Sequence, residues 1–224
     1  MSKRVSFPSK TQAQASGEIE EPQGEGRVPA VVVVHEWWGL NDHIRSLLDR
    51  FAREGFLALA PDLYHGKTTQ DPEEAAKLKA ALEWQQALDE LDGAATFLAN
   101  HPRSNGKVGI VGFCLGGALA FAAGAYTPIY AAVVPFYGVP SEADWSKLKA
   151  PVLAHFSKTD KWASPERAQA IQQAIESHGG SMRLELYDAE HAFMNDTRPQ
   201  VYSPHNAQLA WERTVAFLRE HLKG

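Results

Sequence analysis

The stretch 107–126, KVGIVGFCLGGALAFAAGAY, decides how the chain is read. It opens as an apolar run, turns through Gly112-Phe113-Cys114-Leu115-Gly116-Gly117, and continues as an Ala/Gly-rich helical pattern. Cys114 is the only cysteine in 224 residues. A Gly-x-nucleophile-x-Gly pentapeptide between a buried strand and a helix is the pattern of a nucleophile elbow. The backbone of such a turn bends so sharply that a Cβ beside the nucleophile collides with strand or helix, which accounts for Gly112, Gly116 and Gly117. The turn raises the thiol over the C-terminal edge of a sheet, where open α/β sheets bind ligands. It also sets the thiol at a helix N-terminus, whose dipole favours a thiolate. The Leu115 N–H faces the same way and is a candidate oxyanion donor.

Outward from this turn, strand and helix patterns alternate. Residues 30–34, AVVVV, form a continuous β-branched run, expected for a strand buried on both faces. Further strands are expected over 56–62, 107–113, 131–138, 151–157 and 181–188. Helices are expected over 42–55, from Asp71-Pro72 to about 100 with room for a break, and over 115–126, 164–178 and 206–222. Segments 5–7 and 16–20 alternate weakly and suit an antiparallel edge hairpin. The fold class is therefore α/β, a mostly parallel central sheet with helices on both faces. No repeat or linker interrupts residues 1–224, so a single domain is expected.

Composition narrows the function. With 44% hydrophobic residues the chain can bury a full core, and its formal charge of −5 comes without any Lys/Arg cluster of the kind nucleic acid or an acidic membrane attracts. One cysteine permits no internal disulfide and suits a reducing compartment. The N-terminal residues carry no apolar signal core, so the expected location is cytoplasmic. The uncharged run 108–141 is long enough to span a bilayer, but glycines and prolines break it into strand, turn, helix and strand. A monomer or weak homo-oligomer is expected.

A thiol nucleophile needs a base, and the base needs an orienting acid. In this architecture the order is nucleophile, acid, histidine, each on a loop after a strand. Asp160 follows the strand pattern 151–157, and His191 follows 181–188. His155 falls inside a strand and reads as a core histidine. His178 sits at a helix end and His205 at a helix start. Asp188 is a fallback acid, and Asp144 reads as solvated. A second oxyanion donor should come from the loop His35-Glu36-Trp37-Trp38-Gly39, with the Trp37 N–H the natural choice. Glu36 on that loop can face the thiol and modulate it, or else cap the next helix or pair with a surface cation. His35-Glu36 is no zinc motif, because position 39 is Gly, and no Walker loop or GxGxxG occurs, so neither metal nor cofactor is expected. Trp38, Tyr64, Tyr137 and Phe193, with Trp37 and Trp162, fall beside strand ends and could wall a pocket for a flat or apolar substrate.

Taken together, HEWWGL, APDLY, GFCLGG, an Asp after VLAHF, and EHAF resemble the dienelactone hydrolases, a branch of the α/β-hydrolase fold, from about Val28 to the C-terminus. The resemblance implies a Cys114–His191–Asp160 triad, a Glu36 that interacts with the resting thiol, and hydrolysis of an enol lactone through an acyl-thioester without a cofactor. Members that act on the ring-cleavage lactone hold its carboxylate with arginines, one of them shortly after the histidine. Here those positions read Ala192-Phe193-Met194-Asn195-Asp196-Thr197, so a neutral ester or lactone suits the sequence as well as dienelactone does. Two other classes compete: a small-molecule binding protein that has lost turnover, and a redox-responsive thiol protein. A binder has no need of three matched residues on three loops, and a redox cycle has no resolving cysteine here.

Overall fold

Val32 and Val34 point into one apolar core, while Val31 and Val33 point into another on the opposite face of the same strand. A strand covered on both sides needs no polar alternation, which explains the unbroken valine run. The computed structural model describes residues 2–10 and 14–224. Among these, the strands are β1 (Lys3–Phe7), β2 (Ala15–Glu20), β3 (Val28–Val34), β4 (Leu57–Pro61), β5 (Ser104–Phe113), β6 (Tyr130–Phe136), β7 (Val152–Ser157) and β8 (Met182–Tyr187). The helices are α1 (Asp42–Arg53), α2 (Pro72–Ala80), α3 (Trp84–Ala99), α4 (Leu115–Tyr126), α5 (Pro165–Ser177) and α6 (Pro204–His221).

The strands form one sheet in the order β1-β2-β4-β3-β5-β6-β7-β8. The pairs β1–β2 and β2–β4 are antiparallel, and every other pair is parallel. The expected edge hairpin is thus present. Ile44, Leu47 and Phe51 of α1 share one core with Trp211, Val215 and Leu218 of α6. Leu91 and Leu98 of α3, Leu119 and Phe121 of α4, and Ile175 of α5 fill the other. Helix α4 is apolar on all sides because it is buried on all sides, from Leu115 through Ala125.

The structure places the break that the sequence allowed for after Asp71, and it lengthens one strand. The helical pattern after Asp71 breaks at residues 81–83, where α2 ends and α3 begins. Strand β5 starts at Ser104 rather than 107, because a register shift lets Val28 pair with Ser104 ahead of Ala30 with Val108. Gly106, at φ 86°, supplies the left-handed residue of that irregularity.

Strand register positions the loops. Val34 pairs with Gly112 and Phe113 with Phe136, so the chain leaves β3, β5 and β6 at neighbouring points on one edge. Phe136 pairs with His155 and Ser157 with Tyr187, which carries the same edge on to β7 and β8. Connections run in opposite directions from β3 and β5, to β4 on one side and β6 on the other, so a crevice opens between their ends. No helix among the described residues is long and apolar enough to cross a membrane.

Candidate active site

Cys114 occupies the turn between β5 and α4 with φ 55° and ψ −113°, a region that non-glycine residues rarely enter. Its neighbours explain how the turn is tolerated. A Cβ on Gly112 would overlap the Gly116 carbonyl oxygen, and one on Gly116 would overlap the carbonyl oxygens of Val34 and His35. The first turn of α4 therefore packs directly on the backbone that leaves β3. Cys114 is half-buried, and its own N–H donates to the Phe136 carbonyl at 3.0 Å. Leu115 opens α4, so its N–H lies among those that no helical carbonyl can reach.

Asp160 and His191 meet across the β7 and β8 loops. Asp160 Oδ1 accepts from the N–H groups of Trp162 at 2.8 Å and Ala163 at 3.0 Å, which fixes the carboxylate in its own turn. Its Oδ2 lies 2.5 Å from His191 Nδ1. The His191 ring also lies close enough to the Cys114 side chain for the thiol to act on its charge. Burial opposes charge on His191, but the hydrogen bond to Asp160 and the negative charge of Cys114 and Asp160 outweigh it and raise its pKa to about 10. Burial likewise opposes the Asp160 carboxylate, yet the His191 contact and the two backbone N–H groups hold it below its usual range.

The loop after β3 is built from buried polar groups. Both the His35 ring, at 2.6 Å, and the Gly39 N–H, at 3.2 Å, donate to the Glu36 carbonyl. Burial lowers the His35 pKa, so the ring is neutral with its proton on Nδ1. The Glu36–Trp37 peptide is trans, so the Trp37 N–H projects away from those donors. Glu36 itself is 1% exposed and neither caps α1 nor pairs with a surface cation. Asn41 performs the capping, its Oδ1 accepting from the Ile44 N–H at 3.2 Å. Glu36 Oε2 accepts from Asn195 Nδ2 at 2.6 Å, while Oε1 is buried without a partner. The Asn195 amide can face only one way, because Thr197 donates to its Oδ1 from both N–H, at 3.1 Å, and Oγ1, at 2.6 Å. Tyr137, strained at φ 36°, brings its buried hydroxyl into the field of both Glu36 and Cys114.

A cleft of about 510 Å³ opens beside these groups, lined by Cys114, Leu115, Tyr137 and His191. Of the six aromatic residues expected to wall a pocket, Tyr137 and Trp162 line it. Phe193 is fully buried in the core behind His191 and Tyr137. Tyr64 lines a smaller side cavity with His65 and Glu90. Trp38 is buried beneath the Arg198 guanidinium, 5.2 Å from its ring, and lines a separate cavity with Asn195. Large aromatic rings at strand ends serve the core in these three cases, because neighbouring helices and loops cover them. Trp37 is half-buried against Trp38, 4.9 Å between ring centroids. The cleft instead draws on Lys79, Trp84, Lys161 and Arg167, from α2, α3 and the segment after Asp160.

The rival histidines are accounted for without chemistry. His155 uses Nδ1 on the Tyr187 hydroxyl at 2.8 Å and Nε2 on Thr214 Oγ1 at 3.1 Å. His178 is the C-cap of α5, and His205 is exposed in the first turn of α6. Asp188 is exposed and pairs with Lys158. Asp144 is exposed and caps a short turn at Ser146. No group of three His, Cys, Asp or Glu side chains among the described residues could hold a metal ion.

The model of the dienelactone hydrolase family matches residues 16–222. The chain belongs to this family. Its members are hydrolases of ester bonds, and the mostly parallel sheet with helices on both faces is their α/β-hydrolase fold. "Protein usf" of Aquifex pyrophilus is 36% identical over 99% of this chain and 100% of its own length. A protein of Aquifex aeolicus (strain VF5) named "Putative carboxymethylenebutenolidase" is 33% identical, with both chains covered in full. The crystal structure of a protein from Klebsiella pneumoniae subsp. pneumoniae MGH 78578, described as a "Putative Dienelactone Hydrolase", superposes with a TM-score of 0.89. It is 29% identical and covers 98% of each chain.

Proposed function

We propose that this dienelactone hydrolase homologue cleaves a small ester or lactone through Cys114 as nucleophile, His191 as acid–base and Asp160 as its orienting partner. The observation that carries this reading is the hydrogen bond of Asp160 to His191, with His191 and Cys114 facing the same cleft. An imidazolium held by Asp160 stabilises negative charge on Sγ. Sγ attacks the acyl carbon, a C–S bond forms, and the N–H groups of Leu115 and Trp37 donate to the oxyanion. Collapse breaks the C–O bond, and the His191 proton goes to the departing alkoxide. Water, deprotonated by His191, then attacks the thioester. The C–S bond breaks, releasing the acid and returning the thiolate. Glu36, anchored by Asn195, acts on the thiol's charge through the remaining Oε1.

The substrates in view are the enol lactones of carboxymethylenebutenolidase chemistry and simple activated esters. The whole chain acts as one domain in the cytoplasm, as a monomer or weak homo-oligomer. The test follows 4-nitrophenyl acetate and a dienelactone with wild type, Cys114→Ser and Cys114→Ala, recording product release and intact mass together. We expect turnover by wild type only, with a transient acyl adduct on Cys114. Retained turnover in Cys114→Ala would overturn the mechanism.

A further inference from the structure

Trp162 is 74% exposed, the one large apolar side chain among the described residues to stand so far into solvent. It lines the cleft that holds Cys114 and His191, so its open face is available to a ligand there. This residue is also held in place. Its N–H donates to Asp160 Oδ1 at 2.8 Å, and its carbonyl accepts from Arg167 Nη1 at 2.7 Å. Its ring meets His191 edge-on with 5.6 Å between centroids. Trp84, at the start of α3, lines the same cleft from a different element.

The charge at the mouth is one-sided. Lys79, Lys161 and Arg167 line the cleft, and no carboxylate does, in a chain whose formal charge is −5. None of the three pairs with a carboxylate among the described residues. No cation after the histidine reaches this cleft: Arg198 lies over Trp38 beside a separate cavity.

We propose that the cleft is built for aryl esters carrying a negative charge, the ring seated against Trp162 and Trp84 and the anionic substituent among Lys79, Lys161 and Arg167. The proposal rests on hydrolysis at Cys114. Stacking supplies affinity for the ring, and the unpaired cations supply a preference for charge that salt screens.

The probes are phenyl acetate and 3-acetoxybenzoate, which share the acetyl group and have phenol leaving groups of similar acidity. They differ by one carboxylate. At low ionic strength wild type should favour 3-acetoxybenzoate by about tenfold in kcat/KM. The ratio should approach one in about 0.5 M salt, and also in the Lys161→Met/Arg167→Gln double variant. Because the ratio is taken within one protein, partial misfolding of a variant cancels. In Trp162→Ala, kcat/KM for phenyl acetate relative to vinyl acetate should fall by about three- to tenfold. Turnover of phenyl acetate with no charge preference, or a preference that survives the double variant, overturns the proposal alone. Absence of both turnover and an acetyl mass shift overturns the hydrolase reading with it.

Discussion

His155 in β7 and His191 on the loop after the neighbouring β8 are both largely shielded from water, yet one is neutral and the other charged. His155 contacts two hydroxyls, and burial, with the charges of Arg213 and Arg183, drives its pKa well below the usual histidine value. His191 contacts a carboxylate and a thiol, and is raised to about 10 against the same burial effect. Burial alone therefore does not set the state of a histidine; the chemistry of its two partners does. The first ring locks α6 to the sheet as a neutral bridge, and the second is kept as a proton donor.

The comparison breaks most visibly at Asp160. Asp160→Asn keeps Oδ1 for the Trp162 and Ala163 N–H groups but removes the charge that holds His191. We expect kcat/KM for 4-nitrophenyl acetate to drop about 10³- to 10⁴-fold in steady-state assays. His155→Leu should do the reverse. It leaves the Thr214 hydroxyl unpaired in the core and the Tyr187 hydroxyl with Arg213 alone, costing about 1–3 kcal/mol in urea unfolding, while kcat/KM stays within about threefold. An intermediate case is Asn195→Asp, which sets a second carboxylate against Glu36. Activity at pH 8 should fall roughly tenfold and recover toward pH 5, where one of the two acids takes a proton. A pH–rate profile identical to wild type would show that Asn195 does not control Glu36.

The smallest effect is on stability against pH. The folded pKa of His191 exceeds its ordinary value of 6.5, so its contribution is complete below that pH and is lost as pH rises through about 10. Asp160 is shifted the other way, below its ordinary 3.8, so its contribution is present above that value and lost in acid. The stability difference between wild type and Asp160→Asn should be widest between about pH 4 and 6.5 and should shrink towards pH 10, measured by denaturant unfolding across the range.

The sequence made the elbow legible because its requirement is steric and local: glycine is demanded at Gly112 and Gly116 by backbone carbonyls a few residues away. Asp160 and His191 were legible as positions after strands, since chain order and strand ends are local signals too. The role of His35 was not. Its hydrogen bond runs to the next residue's carbonyl, and a His-Glu pair carries no pattern that announces this. Asn195 stands 159 residues from Glu36, a pairing that only the folded chain reveals. The pocket was legible at Tyr137 and Trp162 but not at its other expected aromatics. Aromatic residues near strand ends are suggestive, but covering helices decide which of them face solvent. Trp38, Tyr64 and Phe193 are covered, and Trp162 is not.

The register that runs from β3 to β8 also makes Cys114 a gauge of assembly. The thiol acquires its neighbours only when β3, β5, β6, β7 and β8 have paired in line, contacts that link residues far apart in the chain. Long-range parallel pairing is a slow, late event in folding. The chain holds no second cysteine to compete for a label. The rate at which a thiol reagent changes from random-coil to native reactivity would time the closing of the whole sheet edge.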